Sequence, residues 1–323
     1  MSKKMIGLHV VLALFMFALV GYVLYDARSR EFLRCSEKYT FLSSELDCGT
    51  INEKIEQVDR LSGLVGNYAN QEENAGRVRQ VSVFFRDLDS RQWFGVNENA
   101  KFYPASLAKL PLAMMYYKTA EINPKILSSE LQVSEADVKL NEVQHYRSEK
   151  MIEPGKPYKV RELLHDMLTY SDNAPVRILT ETAQNYSEQI FSDLGIYESP
   201  KEEGDTGTWN VTAKSYANLF RVLYNASYVR PEYSNEILEE LGDSRFHAGI
   251  EAGVPSGVRV AHKFGEAERV NRETNEARII LNDCGIVYKK ESPYIICIMT
   301  EGGSYETQEN IIKTVSEKVY DSL

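Results

Sequence analysis

Strand-forming segments sit at both ends of this 323-residue chain, with a long helical stretch between them. Near the start, Val81-Ser82-Val83-Phe84-Phe85 is a β-branched and aromatic run, Asp87-Leu88-Asp89-Ser90 supplies turn residues, and Gln92 to Val96 reads as a returning strand. Near the other end, Val258 to Lys263, Glu276 to Tyr288 and Tyr294 to Thr300 read as strands. Neither group alone can bury a sheet. Both must share one, and the helical middle becomes a lobe inserted into it, leaving a cleft between lobes as a natural ligand site. Ile51 to Tyr68 carries helical apolar spacing, and the polar stretch Gln71 to Gly76 predicts a loop. Further helices are predicted over Ala105 to Thr119, with Pro104 at the favoured start position, and over Val160 to Leu168, Ala174 to Ala183, Thr212 to Tyr224 and Glu306 to Leu323. Residues 196–209, with Pro200, Gly204 and Gly207, read as a loop.

Composition removes several function classes. With 43% hydrophobic and 26% charged residues the chain is not disordered. A net charge of −10 without a Lys/Arg block argues against a nucleic-acid partner. Four cysteines without CxxC or HExxH argue against a disulfide-dense scaffold and a structural zinc site, and no metal or cofactor is expected. Cys284 and Cys297 lie on two strands of one predicted hairpin and read as small buried hydrophobes.

At the amino terminus, Met5 to Tyr25 is an uncharged apolar run apart from His9. At ~1.5 Å per residue it reaches about 30 Å, enough for a bilayer core. It lacks a clear small-x-small cleavage site, which favours an uncleaved signal anchor over a cleaved signal peptide. Residues 1–4 then form a short tail, 5–25 a transmembrane helix, 26–50 a stalk and 51–323 the catalytic domain. Arg28, Arg30, Arg34 and Lys38 outnumber Lys3 and Lys4, so charge alone weakly places the large domain in the cytoplasm. If that domain lies outside, Cys35 and Cys48 could pair and close a small loop; the plain alternative is two free thiols or, for Cys35, an acylation site.

Three short motifs carry chemistry: Ser106-Leu107-Ala108-Lys109 at a helix start, Ser171-Asp172-Asn173 after a helix, and Lys263-Phe264-Gly265 at a strand end. A serine hydroxyl needs a base before it attacks. Positions i and i+3 share a helix face, so Lys109 is placed to reach Ser106. Lysine serves as a base only with a lowered pKa, which burial or a neighbouring cation such as Lys263 supplies. The Ser106 N–H, at a helix start, is a candidate oxyanion donor. Ser171 is placed to carry a proton to a leaving nitrogen, Asn173 to bind a substrate amide, and Lys263 to attract a carboxylate and polarise Ser171. His262 should face away from Lys263 along the strand. His145, His165 and His247 show no partner pattern, and Tyr103 and Tyr146 read as packing beside the cleft.

This motif set resembles that of the class A β-lactamases and penicillin-binding proteins. The likeness extends to Val81–Leu88, Tyr103–Leu110, Gly253–Pro255 and Val260–Lys263, and covers roughly 51–323. It implies an α/β fold, an antiparallel sheet flanked by helices (an α/β/α sandwich) with an inserted all-α lobe. It implies Ser106 as the acylated nucleophile, oxyanion donors at the N–H groups of Ser106 and Glu266, and substrate contacts at Asn173, Lys263 and Gly265. The expected substrate is a β-lactam or a peptidoglycan peptide, attacked without a metal and without an obligate protein partner. Such substrates lie outside the cytoplasmic membrane, which overrides the charge signal and places the domain there as a single-pass protein. Two departures stand out. Phe264 replaces the Thr or Ser whose hydroxyl binds the substrate carboxylate, and Ile196 to Asn210 holds no E-x-x-L-N to drive deacylation. A β-lactamase-like hydrolase is the leading expectation, a D,D-peptidase or penicillin-binding protein the second, and a silent binding module for cell-wall peptides the third.

Overall fold

The computed structural model describes residues 15–16, 18–20, 34–41, 43, 45–182, 192–195, 210–270 and 277–323. The chain divides into two compact units, Met1–Glu56 and Gln57–Leu323. In the first, a short helix spans Cys35–Lys38, a β-bridge joins Arg34 to Asp47, and a disulfide closes Cys35 to Cys48. The predicted stalk therefore contains a stapled loop. Most of the apolar run Met5 to Tyr25 lies outside the described residues. Among those described, no helix is long and apolar enough to cross a membrane.

The second unit is built on a five-stranded antiparallel sheet with the order β2-β1-β7-β6-β5. The strands are β1 (Gln80–Asp87), β2 (Trp93–Val96), β5 (Val260–Val270), β6 (Ala277–Val287) and β7 (Tyr294–Glu301). Strands from both ends of the chain thus share one sheet. The central strand β7 is apolar from Tyr294 to Met299, Tyr-Ile-Ile-Cys-Ile-Met, because it is covered on both faces. One face packs on α1 (Ile51–Asn74) and α7 (Tyr305–Ser322) through Val58, Leu61, Val65, Ile311 and Val315. The other packs on the helical lobe: α2 (Lys109–Ala120), α3 (Val160–Thr169), α4 (Ala174–Thr182), α5 (Ala213–Tyr224) and α6 (Pro231–Gly242). A small hairpin of β3 (Glu130–Gln132) and β4 (Pro157–Lys159) belongs to the same lobe.

Several sequence readings need correction. The Gln71–Gly76 stretch is not a loop; α1 continues to Asn74. Its polar residues have partners that a local pattern does not reveal. Glu72 turns inward and accepts from the Arg77 guanidinium at 2.5 and 2.8 Å, and Glu73 accepts from Val81 N at 2.6 Å. Gly76, at φ +67°, then turns the chain. Strand β5 does not end at Lys263 but pairs with β6 as far as Val270. Cys284 and Cys297 are not free: they face each other across β6 and β7 and form a buried disulfide. Helix α6 and the β3–β4 hairpin have no counterpart in the sequence reading. Pro231 at the first turn of α6 is the signal that marks its start.

Candidate active site

Ser106 does not open an α-helix. It lies on a 3-10 turn, Ala105–Ala108, immediately before α2. Ala105 adopts φ +49° and Ser171 φ +55°, both in the left-handed region. Each costs on the order of 1–3 kcal/mol, and such strain persists only where surrounding packing enforces it. Gly265 supplies that packing at the turn. A Cβ at Gly265 would lie 2.5 Å from Pro104 O and 2.9 Å from Leu107 N, so only glycine lets β5 approach so closely. From the other side, the Tyr216 hydroxyl donates to Leu107 O at 2.8 Å.

The lysines converge on Ser171. Lys263 Nζ donates to Ser171 Oγ at 2.9 Å and to Phe264 O at 3.1 Å. Lys109 Nζ donates to Ser171 O at 2.6 Å, Ser171 Oγ at 3.2 Å and Asn173 Oδ1 at 2.6 Å. The expected link from Lys109 to Ser106 is not formed; the ammonium is drawn to the three acceptors of the Ser171–Asn173 turn instead. Both lysines are buried. Burial pushes Lys109 well below the usual lysine range, and the neighbouring Lys263 charge pushes it further, against Asp172 and Glu266. Burial also brings Lys263 down to about 7, against the charges of Asp283 and Glu266.

The Ser171-Asp172-Asn173 turn is held by a segment that no motif marks. Asp172 accepts from Asn141 Nδ2 at 2.7 Å, Ala174 N at 2.8 Å and Ile152 N at 3.1 Å. Asn141 Oδ1 accepts from Asn173 N at 2.7 Å, and Gln144 Nε2 donates to Ser171 O at 2.9 Å. The local clue is a capping box at Ser134 and Asp137, which predicts a short helix but not its task.

On the opposite wall, β5 is the edge strand. Tyr288 N donates to Arg259 O, and the residues opposite each other then alternate between bonded and non-bonded pairs. Lys263 and Gly265 fall on bonded rungs. Phe264 and Glu266 fall between them, so the Glu266 N–H points off the free edge. Lys109, Ser171, Asn173 and Lys263 are thereby brought into one hydrogen-bonded cluster, with Gly265 packed on the Ser106 turn.

Phe264 is buried, stacked on Phe246 with ring centroids 4.1 Å apart and met edge-on by Tyr146 at 5.7 Å. Lys263 Nζ lies 4.4 Å from its ring centroid. Position 264 thus carries no hydroxyl, and its ring packs against Phe246 and Tyr146 instead. His262 points away from the cleft, as alternation requires; its Nδ1 lies 2.8 Å from Asp283 Oδ1, and both side chains are fully buried.

Comparisons with known proteins give the family and the fold. Residues 66–323 match the family model described as "Beta-lactamase enzyme family". A variant of PBP-A solved as an acyl-enzyme complex with penicillin G superposes with a TM-score of 0.67 at 18% identity, covering 82% of this chain and 96% of that one. The TLA-3 extended-spectrum β-lactamase gives 0.69 at 18% identity, covering 80% and 98%. A class A β-lactamase from Mycobacterium abscessus gives 0.65 at 18% identity, covering 79% and 97%. A search of curated proteins finds no match.

Proposed function

Because the chain belongs to the Beta-lactamase enzyme family, we propose that it is a serine acyl-hydrolase that opens a β-lactam or a related amide through an acyl-serine intermediate. One observation carries the reading: two buried lysines with lowered pKa meet on Ser171 beside a strained turn that presents Ser106. In the proposed reaction Ser106 Oγ attacks the amide carbonyl, and neutral Lys109 takes the hydroxyl proton. The N–H groups of Ser106 and Glu266 receive the developing oxyanion. Ser171 passes a proton to the leaving nitrogen, the C–N bond breaks and an ester to Ser106 remains. Water then hydrolyses that ester. Asn173 binds the substrate amide, and Lys263 in its charged form attracts a carboxylate.

A second reading, a D,D-peptidase or penicillin-binding protein, is favoured by the missing E-x-x-L-N between Ile196 and Asn210 and by the buried ring of Phe264. Both features point to an ester that persists. The proposed location is the outer side of the cytoplasmic membrane, anchored through residues 5–25. It is supported by the apolar run and by the disulfides Cys35–Cys48 and Cys284–Cys297, which persist in oxidising compartments.

The test is opening of a chromogenic β-lactam by the wild type beside Ser106→Ala and Lys109→Met. The expected result is slow turnover by the wild type and a loss of about 10²-fold or more in each variant. Unchanged hydrolysis by Ser106→Ala contradicts the assignment.

A further inference from the structure

The segment that holds the Ser171–Asn173 turn does not stay on that side of the cleft. Leu140 O accepts from Asn173 Nδ2, and Asn141 and Gln144 grip the same turn. The next residues bind the opposite wall: His145 N and Tyr146 N donate to the two Glu266 carboxylate oxygens at 3.1 and 2.9 Å. The crossing is then fastened. The His145 ring stacks on Tyr305 at 4.0 Å, the Tyr146 hydroxyl donates to Glu309, and the Tyr146 ring meets Phe246 edge-on at 4.9 Å. Backbone N–H groups that bind a carboxylate make charge-assisted bonds, stronger than neutral ones. The carboxylate belongs to the same residue whose N–H points off the free edge of β5.

We propose that the Glu266 side chain is a positioning latch: it straps His145–Tyr146 across the mouth of the cleft and so determines which acyl donors reach Ser106. An extended donor lying along the free edge of β5 meets the strap, whereas a compact one passes beneath it. The proposal rests on the reading of Ser106 as the nucleophile.

Two measurements on the full chain test it. Amide hydrogen exchange at His145 and Tyr146 reads the latch directly. Intact-mass acylation rates, with a penicillin carrying a bulky dye side chain and with 6-aminopenicillanic acid, read its effect on entry. Glu266→Ala is expected to speed exchange at these amides by about tenfold or more and to raise the bulky-to-compact rate ratio by a similar factor. Glu266→Gln keeps one acceptor oxygen and sets an NH2 donor against the second N–H, so one of the two amides should stay protected and the other should exchange faster. Tyr146→Ala attacks the strap from its own side and should raise the same ratio. Glu268→Gln, an exposed carboxylate on the same strand, should change neither quantity. Unchanged exchange in Glu266→Ala, or faster exchange with an unchanged ratio in both strap variants, overturns the latch. If no variant acylates, the nucleophile reading fails, and exchange alone still decides whether Glu266 holds the strap.

Discussion

At the residue scale, the roles proposed for the two lysines set opposite limits on pH. Lys109 acts as a base only when neutral, and burial beside another cation makes it so well below its ordinary value. Lys263 attracts a carboxylate only when charged, and its pKa lies at about 7. Acylation by a penicillin is therefore expected to decline as pH rises through about 7, while loss on the acid side belongs to protonation of Lys109. Lys263→Gln should lower the acylation rate by about tenfold or more and flatten the alkaline limb. A limb that survives in this variant assigns it to another group. The proposed site residues Ser106, Lys109, Ser171, Asn173 and Lys263 can be named from the sequence because the proposed chemistry demands particular residue types at fixed places in short motifs. Asn141, Gln144 and the Glu266 carboxylate cannot. Their work is side-chain bonding to distant backbone, which has no local period and follows only from the tertiary path of the chain.

At the scale of elements, the apolar periodicity of α2, α3, α5 and α7 and the β-rich runs of β1, β6 and β7 mark segments that bury a face against the sheet. Legibility fails where polar residues point inward. The end of α1 reads as loop because Glu72 is spent on the Arg77 guanidinium and Glu73 on Val81 N rather than on solvent. Helix α6 carries a comparable case. Glu240 is buried against Tyr117 and near Glu236, and burial raises its carboxyl to about 8. The fold favours the protonated form, so the stability this group contributes is fully present below its ordinary value of 4.5 and is lost as pH rises through about 8. Glu240→Gln should therefore match the wild type in Tm near pH 5 and exceed it by at least about 2 °C near pH 9. Equal Tm values at both pH values contradict the assignment.

At the scale of the whole molecule, a sheet closed by strands from both termini brings β5 against the Ser106 turn, while the inserted lobe delivers Lys109 and Ser171 from the other side. The Cys284–Cys297 link pins β6 to β7, and β6 in turn carries the edge strand β5. With a sequence separation of 13, closing this loop in the unfolded chain is worth about 3 kcal/mol. The Cys284→Ala/Cys297→Ala pair should unfold at correspondingly lower denaturant; an unchanged midpoint shows that the link adds nothing. The sequence leaves this bond unread because two cysteines on neighbouring strands pack equally well as thiols, and only the register sets them face to face. The central claim, that this cleft acylates Ser106, is tested most directly by incubating the protein with benzylpenicillin, following intact mass over time and mapping the modified peptide. The account predicts a penicilloyl ester on Ser106 that forms within the experiment and decays slowly, and that Ser106→Ala does not form. A stable adduct on another residue, or no adduct at any time, contradicts it.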